Sequence, residues 1–204
     1  MVKNKPTTSR INRRKDILEA AKKLMLSRGL SGVTTRRISR LVGCSDGALY
    51  VHFKGRLELL LAMLEELLPE MLGPLDDLPK RVGYGSPQAN LAAVLNAIFR
   101  FHQRATPVVA GLFAEPALHN AYRASVARQD KGPHLSMKVL ENYIAAEQAL
   151  GRIHKRVDPK LAASLLMSAS FFRAFSEQFF GIAIRPAWKK QVPRLVATLV
   201  PPPK

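Results

Sequence analysis

The sequence predicts an all-α protein in two parts, an N-terminal three-helix helix-turn-helix domain followed by a larger helical domain. Three observations predict it. Continuous period-2 alternation with β-branched residues is absent, so no strand is expected. Apolar residues recur instead at helical spacing, as in Leu57, Leu60, Leu61, Leu64, Leu67 and Leu68. The third is the run at residues 34–53, TTRRISRLVGCSDGALYVHF, which reads as two short helices joined by a glycine turn and crowded by basic residues.

The elements follow in order. A basic N-terminus, residues 1–11, is expected as a loose arm; it has no apolar segment behind it and so is not a secretory signal. The first helix is expected over residues 12–28, with Ile17, Ala21, Leu24 and Met25 as its apolar stripe and Gly29 as its stop. Thr34 or Thr35 caps the next helix, which should bury Ile38, Leu41 and Val42. Gly43 and Cys44 form the turn, and Ser45 caps a very short helix. Lys54 and Gly55 break the pattern, which sets the helix-turn-helix domain at 12–55 and the second domain at 56–204. A long helix is expected over 56–72, then a Gly-, Pro- and Asp-rich connector to residue 87. Further helices are expected over 88–105, from Pro107 to about 115, and over 118–128, 134–150, 160–180 and 186–200. The helix over 160–180 is apolar nearly all round, which requires burial on more than one side.

The formal net charge is +17, unevenly placed: residues 1–56 carry 14 Lys and Arg against 3 Asp and Glu, and the other 148 carry 18 against 12. A quarter of the chain thus holds most of the excess, which points to a polyanion partner for the N-terminal part, nucleic acid rather than an anionic membrane surface. The single cysteine, Cys44, excludes an internal disulfide framework and fits a reducing compartment. No apolar run approaches the roughly 18 residues of a membrane span. A soluble cytoplasmic protein is expected.

A basic helix-turn-helix is built to lay a short helix in the major groove of DNA. Thr35, Arg36, Tyr50, His52 and Lys54 are donors flanking that helix and fit contacts to phosphate; Arg37 joins them or is solvated, as does Arg40. Ser45, Asp46, Gly47 and Ala48 open the helix and are what can reach bases. Gly47 and Ala48 allow close backbone approach. Asp46 either accepts from cytosine or simply favours the helix dipole. Leu49 and Phe53 are expected in the core.

The run 17–60 resembles the DNA-binding module of TetR-family transcriptional regulators. The resemblance rests on Ile17, Ala20, Ala21, Leu24, Gly29, Thr34, Thr35, Ile38 and Gly43, and above all on Ala48-Leu49-Tyr50-Val51-His52-Phe53-Lys54. Cys44, Asp46, Gly55 and Arg56 depart from the usual pattern. The resemblance implies a C-terminal helical ligand-binding and dimerisation domain whose last two long helices pair with those of a second subunit. On that reading Leu165, Phe172, Phe175, Phe179, Trp188, Val192, Leu195 and Leu199 are candidate interface residues. Phe99, His102, Phe113, His119, Tyr122, Tyr143, Met167, Phe171 and Arg173 are candidate ligand contacts, for an apolar or anionic small molecule. His102 shares a face with Leu91, Leu95 and Ile98, where a satisfied core histidine is the alternative.

The implied function is a dimeric repressor whose two recognition helices sit about 34–36 Å apart on a palindromic operator and which a ligand releases. The alternative is a TetR-like architectural DNA-binding factor without an effector. No nucleophile elbow, phosphate loop or metal-ligand spacing is present in the sequence, so no enzyme, cofactor or metal is expected.

Overall fold

The computed structural model describes residues 7–128 and 132–203, and side chains from residue 13 onward. Every regular element among them is helical. Ten α-helices and a short 3₁₀ turn follow one another: α1 (Thr7–Gly32), α2 (Thr35–Val42), α3 (Asp46–Tyr50), α4 (Arg56–Glu65), α5 (Leu68–Asp77), the 3₁₀ turn (Pro79–Arg81), α6 (Pro87–Phe113), α7 (Pro116–Arg128), α8 (Pro133–Ala149), α9 (Pro159–Phe180) and α10 (Trp188–Leu199).

The chain divides into two compact units, Met1–Glu66 with Pro107–Ser125, and Leu67–Thr106 with Val126–Lys204. The division differs from the single boundary expected between residues 55 and 56. In the first unit α1 packs on α2 and α4, and α2 on α3. Ile17, Leu18, Ala21, Ile38, Leu49, Phe53 and Leu60 are fully buried there, so α4 belongs with the head whose core it completes. The end of α6 joins the same unit through Gly111, where a Cβ would stand 2.9 Å from the Cβ of Leu30. Arg56 adds an ion pair to Glu115 at 2.7 Å and donates to the Leu30 carbonyl.

The second unit is built on α8 against α9, with α10 on α9 and α5 on α8. Its core includes Leu75, Leu78, Leu91, Leu95, Ile98, Leu140, Ile144, Leu166, Val192 and Val196.

Several boundaries differ from the sequence expectation, each for a local reason. Residues 1–6 of the expected arm lie outside the described residues, and residues 7–11 are the start of α1, which therefore begins before residue 12. Gly29 does interrupt α1, with φ 63 and ψ −168, but helical turns resume to Gly32. Leu41 is exposed, not buried. The helix expected over 56–72 is two helices. Pro69 has no N–H for the Glu65 carbonyl, and the break falls at residues 66–67. The expected connector instead holds the second half of α5, with Pro74 inside the helix. Conversely, Pro107 does not start a new helix: α6 runs through it from Pro87 to Phe113. In the turn where Pro107 withholds its donor, the Thr106 hydroxyl bonds back to the His102 carbonyl at 2.6 Å.

Leu30 and Gly111 meet too closely for any larger residue. Gly111→Val should destabilise the chain by about 1–3 kcal/mol, read from urea unfolding, although valine has the better helix propensity.

Candidate nucleic-acid interface

The helix-turn-helix is assembled by caps at each end of its turn. Thr34 is extended, and its hydroxyl accepts from the Arg37 N–H, opening α2. Gly43 closes α2 in the left-handed conformation, φ 68, which a non-glycine residue adopts only with strain. The Cys44 N–H bonds to the Ser39 carbonyl at 3.0 Å. Ser45 then caps α3, accepting the Ala48 N–H at 3.2 Å. A side-chain link joins the two helices: the buried Ser39 hydroxyl reaches both the Thr35 carbonyl at 2.7 Å and the Asp46 carboxylate. Asp46 thus stands in the first turn of α3 and is held by α2, which accounts for it without a base contact.

Beneath α3, Leu49 and Phe53 are buried, and the Arg14 guanidinium lies 4.7 Å from the centre of the Phe53 ring. The Lys54 N–H donates to Glu58 at 2.7 Å, fixing the chain as it enters α4. Outward stand Arg36, Arg37, Arg40, Ser45, Gly47, Tyr50 and Lys54, all exposed, with Thr35, Ala48 and His52 half-buried. The candidate DNA-contacting residues are therefore brought onto the α2–α3 segment and its flanks, several of them with internal duties as well. Arg37 donates to the Ser31 carbonyl at 3.4 Å, and Asp46 is bound by Ser39. Ser39, Arg14 and Glu58 were not among the sequence candidates. Of these, Glu58 had a legible signal, as an acid in the first turn of a helix.

Among the candidate ligand residues, the Phe113 and His119 rings lie 4.8 Å apart. Phe113, His119 and Tyr122 belong to the first unit and the others to the second. Phe99 stacks on Trp188 at 4.9 Å, and Met167 is in the core. Tyr143 is buried, accepts from Asn90 at 2.9 Å, and its phenol is pushed up to about 12 by burial. Arg173 is buried and fully engaged, with Glu177 at 2.7 Å, Gln191 at 2.6 Å and the carbonyls of Ile184 and Pro186. Each of these four is packed or bonded within the chain. His102 lies 3.2 Å from the Ser170 hydroxyl with the exposed Phe171 ring edge-on at 5.5 Å. A surface cleft of about 400 Å³ is lined by Gly73, Pro74, Asp77, Arg81, Asn90, Ala93 and Val94, none of them a sequence candidate.

The candidate interface residues divide similarly. Trp188 and Val192 are buried within the chain, which corrects their assignment to a dimer surface; both face the core side of α10. Phe175, Leu195 and Leu199 are half-buried. Leu165, Phe172 and Phe179 are exposed on α9, the last two at 68% and 69%. Among the described residues no group of three or more His, Cys, Asp and Glu is placed to hold a metal ion. No helix among them is long and apolar enough to cross a membrane.

Burial holds the His102 imidazole neutral, lowering its pKa from 6.5 to about 4. The unfolded chain takes up this proton first, so stability present at neutral pH is lost as the pH falls from about 6.5 towards about 4. We expect a loss of about 2 kcal/mol by about pH 5, measured by urea unfolding, and its disappearance in His102→Gln.

Residues 17–63 match the family model described as bacterial regulatory proteins of the tetR family. The HTH-type transcriptional repressor AcnR of Corynebacterium efficiens is 29% identical over 136 residues, covering 60% of this chain and 69% of that protein. Among solved structures, a transcriptional regulator of the TetR/AcrR family from Thermobifida fusca superposes with a TM-score of 0.64 at 22% identity, over 92% of this chain and 96% of that one. AibR, solved in complex with isovaleryl coenzyme A and operator DNA, superposes with a TM-score of 0.60 at 22% identity, over 93% and 99%.

Proposed function

We propose that this chain, whose residues 17–63 match the tetR family of bacterial regulatory proteins, is a dimeric repressor released from a palindromic operator by a small molecule. The observation that carries the DNA-binding half is the division of α3 and its flanks into two faces. Leu49 and Phe53 are buried, while Tyr50, Lys54 and the arginines of α2 stand in solvent. On this reading α3 enters the major groove. Thr35, Arg36, Tyr50, His52 and Lys54 hold phosphates, and Ser45, Gly47 and Ala48 approach base edges. Gly47 fits this role, because a Cβ there would meet nothing nearer than Ser45 Oγ at 4.0 Å. The head's own packing does not require glycine at that position.

Dimerisation is supported by the exposed apolar face of α9. Leu161, Leu165, Phe172 and Phe179 follow at spacings of four and seven, so they share one side. A row of exposed leucine and phenylalanine is what a second subunit would cover. Release by a ligand is supported by AibR, a protein of similar fold solved in complex with both isovaleryl coenzyme A and operator DNA. An anionic molecule with an apolar portion suits the aromatic, acid-poor composition of α9 and α10. A ligand shifts the DNA-binding equilibrium only by its differential affinity for two shapes of the dimer, about 1–3 kcal/mol. The site of action for such a regulator is the cytoplasm.

Selection from random duplex DNA should enrich a palindrome; retention of duplex without enrichment would favour the architectural alternative and remove the main support for an effector. On the enriched site, Lys54→Ala should lower the slope of log affinity against log salt by about one unit while leaving the preferred sequence unchanged. Phe172→Glu should yield monomers in analytical ultracentrifugation and weaken operator binding; a variant that stays dimeric places the interface elsewhere.

A further inference from the structure

The connection from the 3₁₀ turn to α6, residues 82–86, is held by more buried polar chemistry than a five-residue surface loop requires. The Gly83 N–H donates at 3.1 Å to Glu147 Oε1, and Glu147 is wholly buried. The other oxygen of Glu147 lies 3.3 Å from Arg152 Nε. Arg152 in turn donates to the Gly85 carbonyl. Asn90, also buried, donates at 2.9 Å to the Tyr84 carbonyl and at 2.9 Å to the Tyr143 hydroxyl. Three consecutive residues thus each have a backbone group tied to a side chain below. Gly83 and Gly85 take left-handed conformations, φ 82 and 62, that turn the chain sharply on either side of Tyr84.

Removing a carboxylate from water is unfavourable even when it is paired, and surface loops ordinarily do without such support. What the arrangement achieves here is a fixed backbone for Tyr84, whose side chain is 74% exposed. Leu150, also exposed, has its Cδ1 3.6 Å from where a Cβ on the preceding residue, Gly83, would stand. The Arg152 Nη1 lies 3.8 Å from the same point and is buried, so Arg152 supports the loop from beneath. Lys80 and Arg81 are exposed on the preceding turn. The loop at 151–157, with Lys155 and Arg156 exposed, is drawn to the same end. Gln148 donates to the His154 and Val157 carbonyls, the His154 N–H donates to the Pro201 carbonyl, and Gln88 at the start of α6 donates to the Val200 carbonyl. Acids are fewer and mostly engaged: Asp77 pairs with Lys80 at 2.7 Å, and Asp158 caps α9, leaving Asp76 beside Lys80.

A rigid tyrosine, an exposed leucine against its loop and several cations, arginine among them, have the composition of a protein-binding hot spot. We propose that this end of the second unit docks an acidic peptide segment of a partner protein, one apolar side chain of the peptide resting on Tyr84 and Leu150 while its carboxylates face Lys80 and Arg81. Single-stranded nucleic acid fits less well. It calls for successive stacking platforms along a basic groove, and among the described residues of this loop and its surroundings Tyr84 is the exposed ring. The surface belongs to a different unit from α2 and α3, so the docking proposal stands independently of the operator reading.

The test is a random peptide display library sorted against the full chain. Enriched peptides should carry Asp and Glu around a Leu, Phe or Trp. A labelled peptide from that set should lose about tenfold or more in affinity for Tyr84→Ala and for Arg81→Glu, weaken as salt rises, and leave duplex-DNA binding by both variants at the level of the unaltered chain. Circular dichroism and unfolding midpoints establish that both variants are folded. Enrichment without acidic residues, or unchanged peptide affinity in both variants, overturns the proposal. So does an oligo-dT probe that binds the unaltered chain and is lost in Tyr84→Ala, which would assign the surface to nucleic acid.

Discussion

A five-residue helix does not hold itself together in water, because nucleation costs more than so few hydrogen bonds return. The structure of the N-terminal unit follows from that constraint. α3 exists because Ser45 caps it, because Leu49 and Phe53 anchor it in the core formed with α1 and α2, and because Ser39 ties Asp46 back to α2. Gly43 supplies the left-handed residue that sets the direction of the turn. With its inner side so occupied, α3 leaves Gly47, Tyr50 and the flanking Lys54 in solvent. The polarity of the helix, apolar within and cationic around, is what makes it a tool for a polyanion rather than a packing element.

Much of this was legible in the sequence because caps and glycines are local signals. Thr34, Gly43 and Ser45 stand where expected, and so does burial of Ile38, Leu49 and Phe53. The signals failed where proline was read by rule. Pro107 reads as a boundary in the sequence yet lies inside α6, where the ladder tolerates one missing donor and Thr106 bonds back to the preceding turn. Pro69, inside an unbroken leucine periodicity, coincides with the break between α4 and α5. The link from Ser39 to Asp46 joins residues seven apart across a turn, and periodicity carries no trace of such a contact.

The C-terminal helices show a second limit. An apolar helix announces that it is buried, but not against what. Of the residues expected at a subunit interface, Trp188 and Val192 complete the core of their own chain, whereas Phe172 and Phe179 are left uncovered. Several of the polar and aromatic groups expected to line a pocket are engaged with other residues of the chain: Arg173 with Glu177 and Gln191, Tyr143 with Asn90, Phe99 with Trp188. Residue type alone does not separate a group that binds a ligand from one that satisfies its neighbour; only the partner in space does. The same logic draws attention to Tyr84, an aromatic left in solvent on a loop that buried polar groups hold in place.

The proposed role of the face bearing α2 and α3 is to meet DNA. Hydrogen–deuterium exchange with and without a bound duplex tests it most directly. The account predicts slowed amide exchange over residues 34–54 when the duplex is added, because the backbone there becomes shielded and its opening is suppressed. Slowing confined to the second unit, with residues 34–54 exchanging as in the free chain, would contradict it.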